Sequence, residues 1–217
     1  MNECLLIDRW HAGRRLAKLL TPYSCCDAIV LGLPRGGVVV AFEIAKRLRL
    51  PLDVCIVRKL GVPNQPELAM GALGIGGVVI LHEDVIHRMH VSHAEVDSII
   101  ERESRELKRR QLAYSGSTQM PEVNDRPVIL VDDGIATGAT MEAAIRVVRQ
   151  LGAKKVVVAT GVAFPGPIRR LRPIADEIAC AVQADSVDSI GECYESFRQI
   201  DDNEVSNLLK ESRALQS

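Results

Sequence analysis

Aromatic residues are nearly missing from this chain: one Trp, three Tyr and three Phe in 217 residues. With 47% hydrophobic residues, the core must therefore be mainly aliphatic. Neither sign of charge is in excess, with 27 Lys and Arg against 28 Asp and Glu and a formal net charge of -1. Non-specific nucleic-acid binding needs a basic surface, so no nucleic-acid partner is expected. No apolar run is long enough to span a bilayer. The opening Met1-Asn2-Glu3-Cys4 has no basic region leading into an apolar signal core, so a cytoplasmic location is expected. The six cysteines (Cys4, Cys25, Cys26, Cys55, Cys180 and Cys193) form no Cys-x-x-Cys pair. They read as reduced, mostly buried thiols, not as a zinc or redox centre. Internal repeats and low-complexity linkers are also lacking. The length suits a single domain over residues 1–217.

What is present is concentrated in Val128-Ile129-Leu130-Val131-Asp132-Asp133-Gly134-Ile135-Ala136-Thr137-Gly138-Ala139-Thr140. The β-branched run predicts a buried parallel strand. Two carboxylates stand at its C-terminal end, where open α/β sheets bind ligands. The loop of Gly134, Ala136, Thr137, Gly138, Ala139 and Thr140 opens onto a helix predicted from Met141. A small-residue loop at a helix N-terminus offers amide donors and a favourable dipole to a phosphate. The Thr hydroxyls can donate to phosphate oxygens, and Asp132 and Asp133 can accept from sugar hydroxyls. No Gly-Lys-Ser/Thr follows, which excludes a Walker A loop.

The remaining pattern alternates strands and helices. A first amphipathic helix is predicted over 9–20, with Leu16, Leu19 and Leu20 on its apolar side. A short strand at 28–31 leads through Leu33-Pro34-Arg35-Gly36-Gly37 into a helix over 38–48, and a strand follows at 53–57. This order implies parallel pairing through right-handed crossovers. Residues 61–77, rich in Gly and Pro, read as a long loop or short hairpin, with one more strand at 78–81. Ser92 and Glu95 form a capping box for a long charged helix. Residues 114–118 read as a loop. Further strands are expected at 155–159 and 177–182, and Asp201 with Glu204 caps a final helix. His87, His90 and His93 lack a secure helical spacing and read as exposed, not as a metal site.

Two acids followed by a Thr-Gly loop resemble the phosphoribosyl pyrophosphate (PRPP) signature of the type I phosphoribosyltransferases. The resemblance extends over nearly the whole chain: Ile7-Asp8-Arg9 with Ala12-Gly13-Arg14, the Leu-Pro-Arg-Gly-Gly turn, Val57-Arg58-Lys59-Leu60-Gly61, Pro66-Glu67-Leu68-Ala69-Met70-Gly71-Ala72 and Phe197-Arg198-Gln199. These segments are similar to one bacterial branch of the family with no assigned acceptor. The chain departs from that branch at Ser115, Cys193 and Gly161, where Arg, an aromatic and Pro are common.

The resemblance implies a doubly wound, mainly parallel α/β sheet. It also implies a lid and long-helix insertion near 61–118 and a small hood near 164–200. It implies transfer of phosphoribose from PRPP to a small nitrogenous acceptor, with pyrophosphate released. Asp132, Asp133, Arg58 and Lys59 would be catalytic, and the loop from Gly134 to Thr140 would hold the sugar phosphate. Pro34, Arg35, Gly36 and Gly37, with Arg58 and Lys59, would grip the pyrophosphate, while Glu67 and Gly71 would belong to the lid. Mg²⁺ would bind mainly through PRPP oxygens, with Asp132 and Asp133 as candidate protein ligands. A homodimer is compatible with the resemblance. Ala136 stands where enzymes acting on 6-oxopurines carry an Asp, which disfavours hypoxanthine and guanine. The alternative is a regulatory protein that senses PRPP or a nucleotide without catalysis.

Overall fold

A computed structural model describes residues 6–115, 121–185 and 189–215. Cys4, the 116–118 part of the expected loop and Val187 of the expected hood lie outside them. The elements run α1 (Arg9–Leu19), β1 (Ile29–Gly32), α2 (Gly36–Leu48), β2 (Leu52–Val54), β3 (Val57–Val62), β4 (Gln65–Gly74) and β5 (Val79–Leu81). They continue α3 (Glu83–Arg88), α4 (His93–Ser115), β6 (Pro127–Ile135), α5 (Ala139–Gln150), β7 (Lys155–Ala163), α6 (Pro165–Leu171), β8 (Glu177–Gln183) and α7 (Asp202–Ala214).

Five strands form a parallel sheet in the order β2-β1-β6-β7-β8. Its centre is the predicted aliphatic run: Val128, Ile129, Leu130 and Val131 are fully buried, between β1 and β7. Helices α1 and α2 pack together and against this sheet, while α5 packs on β6 and β7 and also on the second sheet. The chain winds from β1 toward β2 in one direction and from β6 toward β8 in the other. Right-handed crossovers therefore place α2 and α5 on opposite faces and leave a crevice between the C-terminal ends of β1 and β6.

The second sheet, β3-β4-β5, is antiparallel and corrects two expectations. The strand expected at 53–57 ends at Val54; Cys55 donates from its amide to the Gly32 carbonyl (3.0 Å), and the chain then leaves for the other sheet. Arg58 and Lys59 thus lie within β3 and do not follow a strand of the parallel sheet. Of the two readings of 61–77, the hairpin is the one present, longer than expected because β3 begins at Val57 and β4 runs to Gly74, and the expected strand at 78–81 joins the same antiparallel sheet. The continuous apolar run hid the break, because Cys55 and Ile56 are buried where the chain changes sheets.

Smaller differences have local causes. Leu19 was expected on the apolar stripe of α1 but is 54% exposed, while Leu16 and Leu20 are fully buried. Cys25 and Cys26 are exposed in the turn before β1, against the expectation of mostly buried thiols; Cys55 and Cys193 are buried. Tyr114 and Ser115 end α4 and are not a loop. The capping box is present: the Ser92 amide donates to Glu95 Oε2 (2.9 Å), and the Glu95 amide donates to Ser92 Oγ (3.3 Å). Asp201 caps α7 by accepting from the Glu204 amide (2.9 Å). His87, His90 and His93 are exposed. No described helix is long and apolar enough to cross a membrane.

Pairing and burial divide the hairpin. Leu60, Met70 and Leu73 are at most 1% exposed, whereas residues 63–66 are exposed. Stability to local opening follows buried contacts and paired amides. Amide hydrogen exchange on the free protein should be slow at Leu60, Met70 and Leu73 and fast at Asn64. Uniformly fast exchange over 61–77 would instead show that the whole segment opens as a lid.

Candidate functional site at the crevice between β1 and β6

Strand β6 carries both acids inside its last turn of pairing. Asp132 sits opposite Thr160 of β7, and Gly134 opposite Val162. The loop after Ile135 is exposed, and Gly138 takes φ +81° before α5 begins. Helix α5 starts at Ala139, two residues earlier than its sequence suggests. Thr137 Oγ1 accepts from the Ala139 amide (3.4 Å), and Arg170 donates to the Thr137 carbonyl. Asp132, Gly134, Ala136, Thr137, Gly138 and Thr140 line a cleft of about 150 Å³.

The turn at Pro34-Arg35-Gly36-Gly37 lies against these acids. A Cβ at Gly36 would fall 1.9 Å from Asp133 Oδ2, and one at Gly37 would fall 2.6 Å from the Val131 carbonyl and 2.9 Å from Asp132 Cα. Glycine is what lets this backbone close on β6. The Pro34–Arg35 peptide is cis, and Arg35 is exposed. Helix α4 comes near on this side: Arg35 is close enough to oppose the rise in the Tyr114 pKa, which burial and then the Asp202 hydrogen bond push to about 12.

Lys59 and Gly71 share a second cleft, of about 490 Å³, with Thr137, Ala139, Thr140, His82 and Arg146. The antiparallel sheet thus faces the loop directly. Arg58 is directed elsewhere: its NH2 group lies 2.7 Å from Glu103 of α4. It lines a wider cleft of about 730 Å³ between the hairpin and α4, on which Lys59 also borders. Glu67 lies in β4. The structure therefore brings together Asp132, Asp133, the 134–140 loop and the 34–37 turn, with Lys59 across a neighbouring cleft and Arg58 engaged by α4.

Tyr194 was not picked out from sequence, and Arg9 and Phe197 were named only within resembling segments, with no role at the acids. Arg9 Nε donates to Asp133 Oδ2 (2.6 Å), and its NH1 donates to the Arg198 carbonyl (2.7 Å). Its guanidinium lies 3.9 Å from the ring centre of Phe197. Tyr194 Oη donates to the Asp133 carbonyl (2.6 Å), occupying space that a side chain at Gly161 would need. Burial, then the nearby Asp133, raises the Tyr194 pKa, so the hydroxyl remains a donor. One signal for Arg9 was available: a cation directly after the cap Asp8 opposes the helix dipole and so requires another partner.

The two acids differ. Burial raises the Asp132 carboxyl well above its ordinary range, and the adjacent Asp133 adds to the rise; Arg9 pulls the other way. Asp132 Oδ1 accepts from the Asp133 amide (2.9 Å). One oxygen of each is thus engaged, Asp133 Oδ2 by Arg9 and Asp132 Oδ1 by the Asp133 amide, and the two carboxyl groups also lie within hydrogen-bonding reach of each other.

Comparison with known proteins agrees with this fold. The family model described as the phosphoribosyl transferase domain matches residues 12–195. A Mycobacterium tuberculosis protein, provisionally named a phosphoribosyl transferase, is 45% identical over 201 residues, which is 93% of this chain and 45% of the relative. The chain therefore spans about half the length of that relative. The crystal structure of TT1426 from Thermus thermophilus is 39% identical and superposes with a TM-score of 0.84, covering 95% of this chain and 98% of the other. A ribose-phosphate pyrophosphokinase of Pyrococcus furiosus is 47% identical over 60 residues, 27% of this chain and 22% of that protein. A doubly wound sheet with its acids and small-residue loop at the crevice, matched across most of its length by that domain model, places this chain in the type I phosphoribosyltransferase family.

Proposed function

We propose that the chain transfers phosphoribose from PRPP to a small nitrogenous acceptor and releases pyrophosphate. The observation that carries this reading is the direct packing of Gly36 and Gly37 on Asp132 and Asp133. It sets a backbone turn suited to one phosphate group beside acids suited to a sugar diol. The 134–140 loop, at the N-terminus of a 12-residue helix, supplies a second phosphate position. A ligand with phosphate at both ends of a sugar fits that spacing of functions.

In this assignment the amides and hydroxyls from Gly134 to Thr140 hold the 5-phosphate. Asp132 and Asp133 accept from the ribose hydroxyls and favour the positive charge developing at C1. The 34–37 turn, with Arg35 and Lys59, receives the pyrophosphate as its bond to C1 breaks and the acceptor nitrogen bonds to C1. Arg58 can join only by leaving Glu103. Hard oxygen donors and few protein ligands suit Mg²⁺ held largely by substrate oxygens, with Asp132 and Asp133 as the protein side. When bound, the ion would neutralise pyrophosphate charge. Ala136 offers no proton acceptor, so a base must come from the hood or the acceptor itself.

Calorimetric titration with Mg·PRPP tests the binding half. Binding should be lost in the double variant Asp132→Asn/Asp133→Asn, and unchanged affinity would refute the assignment. Nucleobases should then be screened for pyrophosphate release. Binding without release for any base would favour the PRPP-sensing alternative.

A further inference from the structure

Two segments far apart in sequence, 6–9 and 193–198, converge on Asp133. The Leu6 amide donates to the Cys193 carbonyl (3.1 Å), while the Glu195 amide donates to the Leu6 carbonyl (2.8 Å) and the Ser196 amide to the Ile7 carbonyl (2.9 Å). This pairing brings Arg9 under Phe197 and beside Asp133. The Phe197 ring is also 4.9 Å from Tyr194, centre to centre, so Asp133 is gripped through its side chain by Arg9 and through its carbonyl by Tyr194.

We propose that Arg9 is a positioning residue for the sugar-binding acids, and that Phe197 and the Arg198 carbonyl hold Arg9 in place. This rests on the PRPP reading. Arg9 occupies Asp133 Oδ2, just as the Asp133 amide occupies Asp132 Oδ1. With Arg9 and the Asp133 amide fixing one oxygen of each acid, the other oxygens are oriented as a pair, the arrangement that two neighbouring hydroxyls would meet. Arg9 also cancels one of two adjacent negative charges. The Arg9 and Asp133 side chains are only 8% and 16% exposed, so water screens this charge poorly. Two bare carboxylates would repel a polyanionic sugar phosphate; the pair with Arg9 presents a smaller net charge with the same acceptor atoms. Phe197 contributes through its face, a favourable position for a guanidinium. With Arg9 on that ring, Phe197 serves the acid pair and not primarily the acceptor.

The alternative is that Arg9 merely ties the 193–198 segment to α1. A double-mutant cycle separates the two. Mg·PRPP affinity is measured by calorimetry for the parent, Arg9→Met, Asp133→Asn and the combined variant, with circular dichroism confirming the fold of each. Arg9→Met should weaken binding about tenfold, the scale expected when the partner that orients a ligand-binding side chain is lost. On the Asp133→Asn background it should add little, because its effect passes through that carboxylate. Phe197→Leu should weaken binding about threefold, again only when Asp133 is present. Arg9→Lys keeps the charge without the fork and should fall between the parent and Arg9→Met. If Arg9→Met fails to fold, Arg9→Lys and Phe197→Leu complete the same cycle. Additive losses would overturn the positioning role while leaving the PRPP reading intact. A parent protein that binds no Mg·PRPP would overturn that reading, and this assignment with it.

Discussion

Replacing the two adjacent acids one at a time should move stability in opposite directions. Asp133→Asn should destabilise the free protein by about 3 kcal/mol, because removing one member of a buried ion pair leaves the other without its counter-charge. Arg9 is the residue left behind, 8% exposed and held at 2.6 Å by the carboxylate that is lost. Asp132→Asn should instead raise stability by about 1 kcal/mol at pH 8. Its carboxyl is partly buried beside another acid, and its pKa is raised first by desolvation and then by Asp133. The sign of the pH dependence follows. Between the ordinary carboxylate value and the raised folded value, the folded state binds more protons than the unfolded state. Parental stability is therefore fully present below the ordinary value and declines as pH rises through the folded one, by up to ~1.4 kcal/mol per pH unit. Asp132→Asn removes this contribution. Urea unfolding at pH 5, 6, 7 and 8 measures all three proteins. Equal destabilisation by both substitutions would show that the acids share one environment.

That asymmetry was invisible in the sequence, where Asp132 and Asp133 are simply neighbours. What could be read was local. Four consecutive aliphatic residues before the acids predicted the central strand. Leu33 to Gly37 predicted the turn between a strand and a helix, and Ser92 with Glu95 predicted where α4 starts. Each of these signals lies within a few residues of its own consequence. Arg9 and Asp133 are 124 positions apart, and Tyr194 reaches back 61 positions. No periodicity links such pairs, since their meeting depends on α1 crossing over β7 and on 193–198 pairing with the N-terminal segment. The placement of Arg58 and Lys59 failed for another reason. A run of apolar residues reports burial, and burial continued at Cys55 and Ile56 while the strand direction and the sheet changed. The geometric consequence is concrete: from an antiparallel hairpin Lys59 borders the cleft that Thr137 and Thr140 also line, while Arg58 meets Glu103.

Gly37→Ala should be among the most damaging single-methyl additions to this site. Its new Cβ would meet backbone, the Val131 carbonyl at 2.6 Å and Asp132 Cα at 2.9 Å, in the central strand of the sheet. Neither atom can yield without pushing β1 and β6 apart, where Leu33 donates its amide to the same Val131 carbonyl (2.8 Å). Overpacking of this kind costs about 1–3 kcal/mol. The first turn of α2 would also lift off the acids, so Mg·PRPP affinity should fall by about a hundredfold or more, as expected when site geometry shifts by an ångström. Gly36→Ala should act differently. Its Cβ would meet Asp133 Oδ2 at 1.9 Å and Arg9 Nε at 2.7 Å, which are side-chain atoms. The ion pair can rotate away, so stability should fall less than for Gly37→Ala, while affinity falls comparably because the acid is displaced. Gly166→Ala is the control. It lies in the first turn of α6 with nothing within 4 Å of its Cβ position, and alanine suits a helix better than glycine. Thermal melts and calorimetry on the three variants separate packing from site geometry. If Gly37→Ala melted and bound like Gly166→Ala, the turn would not rest on β6, and the proposed pyrophosphate and ribose positions would not adjoin.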